Sequence, residues 1–168
     1  DIEWQKCKLS PHYFLGKYGK VRDKLHGIIS FAIPPHIESL LTDLLTYRLN
    51  IILKSRQVYV TWTIQGFSLW RAMFHVGATI ITLSKGETEA AEELDYARFI
   101  HKNLPDFLRI SKGKDQESVI SFPAMDSKMV LPRLPESWGR SSSSVGRASP
   151  GGTEVGMVDL RGKGIPRV

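Results

Sequence analysis

The chain has 168 residues and a mass of 18.9 kDa, the size of one domain or of one domain with a tail. Hydrophobic residues make up 42% of the sequence, which excludes a wholly disordered chain. The net charge of +6 is compatible with an anionic partner. Cys7 is the only cysteine, which excludes an internal disulfide and a zinc site made of cysteines alone. Because no apolar run approaches the about 18 residues of a membrane span and no secretory signal is visible, we expect an intracellular chain without a membrane partner.

Composition divides the sequence into three parts. Residues 1–48 form a lead-in segment, and residues 49–138 form the expected core. Residues 139–168 are rich in Gly, Ser and Arg and contain no aromatic residue. Because such a composition buries little apolar surface, it predicts a disordered tail.

In the lead-in segment, residues 27–33 predict a short strand that ends at Pro34. Residues 36–49 predict a helix, because their apolar side chains recur with helical spacing. The apolar positions of this helix are Ile37, Leu40, Leu41, Leu44 and Leu45.

The core alternates strands and helices. The apolar run at residues 49–53 predicts a buried strand, and residues 62–75 predict a helix. Residues 78–83 predict a second buried strand, and residues 87–104 the clearest helix, with acidic residues at its start and basic residues near its end. Two further runs, 118–122 and 128–131, predict a hairpin. This order predicts an α/β fold in which the strands at 49–53 and 78–83 are parallel and joined by a right-handed crossover.

The polar loop at residues 54–61 follows the first of these strands, at the sheet edge where α/β proteins bind ligands. A phosphate site needs inward-facing amides, a helix start and a cation, and a Ser or Thr then holds magnesium. Lys54 and Arg56 supply cations and Thr61 the hydroxyl, whereas Tyr59 and Val60 replace the glycine and lysine of the standard pattern. The spacing alone leaves a polar strand-to-helix turn with solvated bases as an equal alternative.

Several segments together resemble one family. They are residues 51–58 (ILKSRQV after Ile51), the aromatics Tyr13, Phe14 and Tyr18, residues 27–31, residues 77–85, residues 89–92, Asn103-Leu104-Pro105, and the stretch from Leu131-Pro132 to Gly139-Arg140-Ser141. In this order they resemble the large terminase subunit of tailed bacteriophages and prophages, whose deviant Walker A segment has Arg-Gln, an apolar residue, Gly, a variable residue and Ser or Thr. The resemblance covers about residues 11–142.

The resemblance implies a P-loop NTPase-like, three-layer fold with a central, mainly parallel sheet that is incomplete at its C-terminal side. It implies an ATP hydrolase that powers translocation of viral double-stranded DNA into a capsid, with ATP and Mg²⁺ as cofactors. Lys54 and Arg56 would contact the β- and γ-phosphates, and Thr61 would hold the magnesium ion. The remaining loop residues, Ser55, Gln57, Val58, Tyr59 and Val60, would contribute backbone N–H groups along with Arg56.

The same resemblance implies partners and a location. A large terminase subunit works with double-stranded DNA, a small terminase subunit and the portal protein, and forms a homo-oligomeric ring when full length. Its place is the cytoplasm of the bacterial host, transiently at the procapsid.

The sequence departs from the family pattern at four places. Tyr59 stands at the usual glycine, and Ile37 follows His36 where the family has an adenine-reading glutamine. The apolar run 155–158 ends in Asp159, but Leu160 follows in place of the water-activating glutamate. The nuclease domain of the family is absent. These departures predict a truncated or frame-disrupted fragment that diverges near residue 142 and has no secure catalytic residue. The alternatives are a nucleotide- or DNA-binding module without turnover, a helicase-like ATPase, and a non-functional remnant.

Overall fold

The computed structural model describes residues 2–23, 25–55, 59–84 and 87–132, without the side chains of 87–90. The described part is mixed α/β. Its elements, in chain order, are α1 (Ile2–Leu9), α2 (Pro11–Tyr18), β1 (Lys20–Asp23), β2 (Gly27–Ser30), α3 (Pro35–Thr46), α4 (Val60–Phe74), β3 (Thr79–Ile81), α5 (Glu87–Lys102), β4 (Asp115–Gln116), β5 (Val119–Phe122) and β6 (Ser127–Val130). The predicted tail at 139–168 lies outside the described residues.

The main sheet has four strands in the order β3-β6-β5-β4. Strands β3 and β6 are parallel, whereas β6, β5 and β4 are antiparallel neighbours. A 3-10 turn, Pro123–Met125, connects β5 to β6, so the predicted hairpin is confirmed. Strands β1 and β2 form a separate antiparallel hairpin.

The sheet buries one face. Ile80, Met129 and Ile120 are paired across three strands, and each side chain is at most 1% exposed. On the opposite face, Ile81 is 47% exposed and Lys128 is exposed. The alternation follows from the two-residue period of a strand, which sends neighbouring side chains to opposite faces. The described residues therefore cover this sheet on one side.

Helix α4 lies at the centre of the core. It contacts β3 and β6 on one side and α2, α3 and α5 on others. Most of its side chains are buried, including Phe67, Trp70 and Phe74, which are core residues. A Cβ atom at Gly66 would lie 2.7 Å from Leu15 Cδ2, so this glycine permits the close approach of α2.

Helices α3 and α5 match the predicted ones. In α3 the apolar stripe is buried, apart from Leu45, which is 48% exposed. In α5 the residues Leu94, Ala97 and Ile100 are buried. The predicted strands at 27–33 and 78–83 also form, as the shorter β2 and β3.

The first 18 residues form two helices that the sequence analysis did not predict. Ser10 caps α2 by accepting a hydrogen bond from the backbone N–H of Tyr13, and Pro11 occupies the first helical position. Glu3 accepts hydrogen bonds from the hydroxyls of Tyr13 and Tyr18 and from Lys17, which holds α1 on α2. These bonds, led by that from Tyr18, lower the pKa of Glu3 to about 2.

Cys7 is buried in this N-terminal region, as expected for a small core residue. Its carbonyl oxygen accepts a hydrogen bond from the indole N–H of Trp70 at 2.7 Å. Burial raises the pKa of the Cys7 thiol to about 11, which keeps it protonated near neutral pH.

The predicted strand at residues 49–53 is wrong. The structure describes all of residues 47–55 and forms no strand there. Leu49, Ile51 and Leu53 are 64%, 73% and 75% exposed, because no neighbouring strand pairs with them in the described part. The parallel pairing of 49–53 with 78–83 is therefore also wrong, and β3 pairs instead with β6.

The expectation of a mainly parallel central sheet fails for the same reason. Of the three strand pairs in the main sheet of the described residues, one is parallel and two are antiparallel. Three layers are likewise not observed in the described part, since the described elements pack on one face of the sheet.

Candidate functional site

The predicted loop reaches helix α4 through a left-handed residue. Tyr59 immediately precedes α4 and has φ 57° and ψ 9°, a conformation that favours glycine. Its carbonyl oxygen accepts hydrogen bonds from both the backbone N–H and the hydroxyl of Thr63, each at 2.9 Å. The side chain of Tyr59 does not cap α4, and among the described residues no acceptor is seen for the backbone N–H groups of its first turn. The start of α4 therefore presents backbone donors, without a partner in the described part, at the positive end of a helix dipole.

Tyr59 is anchored to the β1–β2 turn. Its hydroxyl donates a hydrogen bond to Asp23 Oδ2 at 3.2 Å. The other carboxylate oxygen of Asp23 accepts from the backbone N–H groups of His26 and Leu25, each at 2.9 Å. These backbone bonds, with that from His26 the largest, lower the pKa of Asp23 to about 2, and the bond to Asp23 raises the pKa of Tyr59. The tyrosine side chain is thus directed away from the start of α4 toward the hairpin.

The structure places five of the eight predicted site residues. Lys54 is half-buried and Ser55 is exposed, both in a segment without regular secondary structure. Tyr59 is 37% exposed, Val60 is 7% exposed as the first residue of α4, and Thr61 follows it, half-buried. The other three, Arg56, Gln57 and Val58, lie outside the described residues. The structure therefore brings Tyr59, Val60 and Thr61 together at the helix start and leaves the position of the predicted cation at 56 open.

The start of α4 also lies at the end of the sheet where the carboxyl ends of β3 and β6 are found. Helix α4 and strand β3 pack against each other and are joined by residues 75–78, so they run in opposite directions. Since β6 is parallel to β3, the carboxyl ends of both strands point toward the end of the molecule where α4 begins. In open α/β sheets, ligands bind beyond the carboxyl ends of parallel strands.

Thr61 is the residue to which the resemblance assigns the magnesium ion, and it lies in the described part. Among residues 2–23, 25–55, 59–84 and 87–132, no group of three or more His, Cys, Asp or Glu side chains could hold a metal ion. Thr61 offers a hydroxyl at the second position of α4, beside the unpaired amides. Magnesium usually keeps several waters and bridges to substrate phosphates. The site fits a magnesium ion that arrives with phosphate oxygens, rather than one held by the protein alone.

Sequence reasoning missed a second feature, a cleft of about 590 Å³ whose lining includes Trp62 in the first turn of α4. Its walls come from β1, α4, α5 and the segment after α5, so its residues are scattered along the sequence. One local signal was available. Tyr96 and Phe99 on α5 are three residues apart, as are Asp95 and Arg98, which places an aromatic row beside a charged row on one helix.

No protein-family model matches the sequence, and no curated protein matches it at a significant level. Within the described part, no helix is long and apolar enough to cross a membrane.

Proposed function

We propose that the chain is a nucleotide-binding ATPase segment of the large terminase subunit type, with ATP and Mg²⁺ bound at residues 54–61. In this proposal the α/β unit is a P-loop NTPase-like fold, and the full-length protein translocates viral double-stranded DNA as a ring with the small terminase subunit and the portal protein. Its place of action is the bacterial host cytoplasm.

The observation that carries the proposal is the backbone of Tyr59. In the resembled motif this position is a glycine, and here its φ of 57° lies in the region that glycine favours. The left-handed conformation costs a tyrosine about 1–2 kcal/mol, so the local preference of tyrosine does not explain why the backbone adopts it. The backbone at position 59 thus supports a phosphate-binding turn, although the residue there is tyrosine and not the glycine of the motif.

The residues would act through charge and hydrogen bonding. Phosphate oxygens bind well at a helix start with unpaired amides, where the helix dipole favours negative charge. Lys54, and Arg56 outside the described residues, would neutralise the phosphates, and the Thr61 hydroxyl would ligate the magnesium ion. Bound ATP would supply the phosphoanhydride bond whose hydrolysis drives DNA movement. Cations at these positions stabilise the charge of the transferring phosphoryl group.

One observation favours a second candidate, nucleotide binding without turnover. In the sequence, Leu160 follows Asp159 at the position where a glutamate would activate water. Loss of a catalytic base costs about 10²–10⁴-fold in rate. Binding and hydrolysis must therefore be measured separately.

The test is calorimetric titration of the whole chain with MgATP, followed by an assay of phosphate release with and without double-stranded DNA. We expect Lys54→Ala or Arg56→Ala to weaken ATP binding at least tenfold, because each removes a cation from the phosphates. Lys8→Ala is the matched control, since Lys8 is an exposed lysine on α1. Thr61→Ala should weaken binding with magnesium and leave binding in EDTA unchanged.

Three results would contradict the proposal in whole or in part. A folded chain that binds no ATP would remove the nucleotide site. Binding that Lys54→Ala, Arg56→Ala and Thr61→Ala all leave unchanged would move it elsewhere. Binding with no phosphate release, with or without DNA, would replace the ATPase by the second candidate.

A further inference from the structure

The cleft beside α5 combines aromatic and cationic side chains. Its volume of about 590 Å³ is in the range of small-molecule sites. Its charged lining consists of Arg22, Arg98, Lys102, Arg109, Lys112, Asp95 and Asp115. Positive charges outnumber negative ones in this set. His101 also lines the cleft, and burial lowers its pKa to about 4, so it adds no charge near neutral pH.

Three aromatic rings form the apolar wall of this cleft. The ring centroids of Trp62 and Tyr96 are 4.4 Å apart, and those of Trp62 and Phe99 are 5.6 Å apart. All three side chains are half-buried, so part of each ring faces the cleft. Arg22 lies over the ring of Phe99, with its guanidinium carbon 4.9 Å from the ring centroid. The three rings and the guanidinium of Arg22 together form one surface of planar groups.

The cations of the cleft differ in whether they already have a carboxylate partner. Arg109 pairs with Asp106. Arg98 and Lys112 are bonded to the carboxylate of Asp115, at 2.9 Å and 2.7 Å, and Arg98 also pairs with Asp95. These two cations hold the cleft wall together. Arg22 and Lys102, by contrast, are exposed and have no carboxylate partner among the described residues. They are the cations that an anionic ligand can use without breaking an existing ion pair.

We propose that this cleft binds a nucleotide unit, with the base stacked on the Trp62–Tyr96 surface and the phosphate held by Arg22 and Lys102. Aromatic rings with nearby cations bind successive bases and phosphates of a single strand without reading sequence. The same chemistry takes a free mononucleotide. None of the described loop residues, 54, 55 and 59–61, lines this cleft, so the proposal does not depend on an ATP site there.

The test measures fluorescence anisotropy of labelled dT10 with the whole chain, at several salt concentrations, and uses unlabelled dTMP as a competitor. We expect the double variant Arg22→Gln/Lys102→Gln to weaken dT10 binding and to lower the salt slope of log K by about 1–2, because two phosphate contacts are lost. Lys8→Gln/Lys128→Gln is the matched control. It removes two exposed lysines outside the cleft, and it keeps the basic residues 139–168 that all variants share.

The stacking part of the proposal has its own variant and probe. Trp62→Leu should weaken dT10 binding about tenfold, in line with about 1–3 kcal/mol for stacking one base on an aromatic ring. An abasic oligonucleotide of the same length should bind the wild-type chain more weakly by a similar factor. Competition by dTMP at concentrations comparable to the total nucleotide in dT10 would identify the mononucleotide as sufficient, whereas competition by oligonucleotides alone would identify a single strand as the ligand.

Four outcomes would overturn the proposal. One is equal weakening by the cleft variant and the control variant, which would show charge without a site. A second is that the chain binds dT10 and the abasic strand with equal affinity. A third is that it binds a poly-glutamate peptide as tightly as dT10. Loss of dT10 binding in Lys54→Ala with retention in Arg22→Gln/Lys102→Gln would place the ligand at residues 54–61 instead.

Discussion

Two apolar runs of the chain look alike in sequence and differ in structure. Residues 49–53 and 78–83 are both short, β-rich and bounded by polar residues, and both predict buried strands. The second contains β3, whose Ile80 is 1% exposed, whereas Ile51 in the first is 73% exposed. The difference is the neighbour, because β3 pairs with β6 and residues 49–53 pair with no described strand. Strand formation here depends on a partner for the backbone and not on local preference.

The largest test of this comparison makes the same substitution in both runs. Ile80→Ala should lower the free energy of unfolding by about 2–5 kcal/mol, because it leaves a cavity between Met129 and α4. Ile51→Ala should change it by less than about 0.5 kcal/mol, since an exposed side chain leaves no cavity. Urea unfolding of both variants measures the two values. Similar losses in the two variants would show that residues 49–53 are buried in solution.

The second test concerns His101 on helix α5, whose ring packs near Phe122 of the main sheet. Its ring is 3% exposed, lies 5.4 Å from the Phe122 ring, and its Nε2–H donates to the carbonyl oxygen of Ile110. Burial, helped by the charges of Lys112 and Arg109, lowers its pKa from 6.5 to about 4. Because the unfolded chain takes up a proton at higher pH than the folded one, stability should fall by up to about 3 kcal/mol between pH 6.5 and pH 4.

The control for this pH dependence is His101→Gln, which retains a hydrogen-bond donor and does not titrate. Its free energy of unfolding should change less than that of the wild type between pH 6.5 and pH 4. Parallel curves for the two proteins would show that other groups cause the loss.

The third test concerns Tyr59, the residue of the loop at 54–61 that lies just before α4. Tyr59→Gly relieves the left-handed strain, and Tyr59→Ala keeps it, while both remove the ring and the hydroxyl. We expect the Gly variant to be more stable than the Ala variant by about 1 kcal/mol, after the greater freedom of glycine in the unfolded chain is offset. Urea midpoints measure the difference. Under the proposed function the Gly variant should also bind ATP more tightly, and equal stability of the two variants would exclude a positive φ at this position.

The smallest expected effect is at Asp23, which ties Tyr59 to the β1–β2 hairpin. Its pKa is lowered from 3.8 to about 2, so its ionised form stabilises the fold above pH 3.8, and this contribution is lost as the pH falls toward 2. The stability difference between the wild type and Asp23→Asn should therefore shrink over that range. Glu117→Gln, which removes an exposed carboxylate far along the chain, is the control variant. If the stability difference between the wild type and Asp23→Asn does not change with pH, the ionised carboxylate does not stabilise the contact between Tyr59 and the hairpin.

Sequence reasoning succeeded where a local pattern was sufficient. The apolar stripe of α3, the charge gradient of α5 and the turn between β5 and β6 each depend on neighbours within a few residues. Helix α2 was missed although Ser10 and Pro11 form a cap and a first-turn proline, a signal that the alternation of aromatics obscured. The parallel pairing of β3 with β6 could not be predicted, since it joins distant segments and leaves no local trace.

The candidate sites divide in the same way. The sequence predicts a helix that begins at residue 62, two residues after the observed start at Val60, and it singles out the hydroxyl of Thr61. The strain at Tyr59 was foreseeable once glycine was expected there. The side-chain direction of Tyr59 was not, because it depends on Asp23, which lies on a separate hairpin. The cleft at Trp62 was missed because Arg22 and α5 approach it only after folding.

The order of the strands also has a kinetic consequence. Strands β5 and β6 are joined by a short turn, and such hairpins form in about 1–10 μs. Strand β3 meets β6 only after roughly 50 intervening residues, including α5, are brought together, which costs loop-closure entropy. We expect the hairpin to form first and β3 to dock onto it later, so that changes in β3 mainly accelerate unfolding. Assembly of this sheet then proceeds from its C-terminal strands toward earlier ones, against the direction of synthesis.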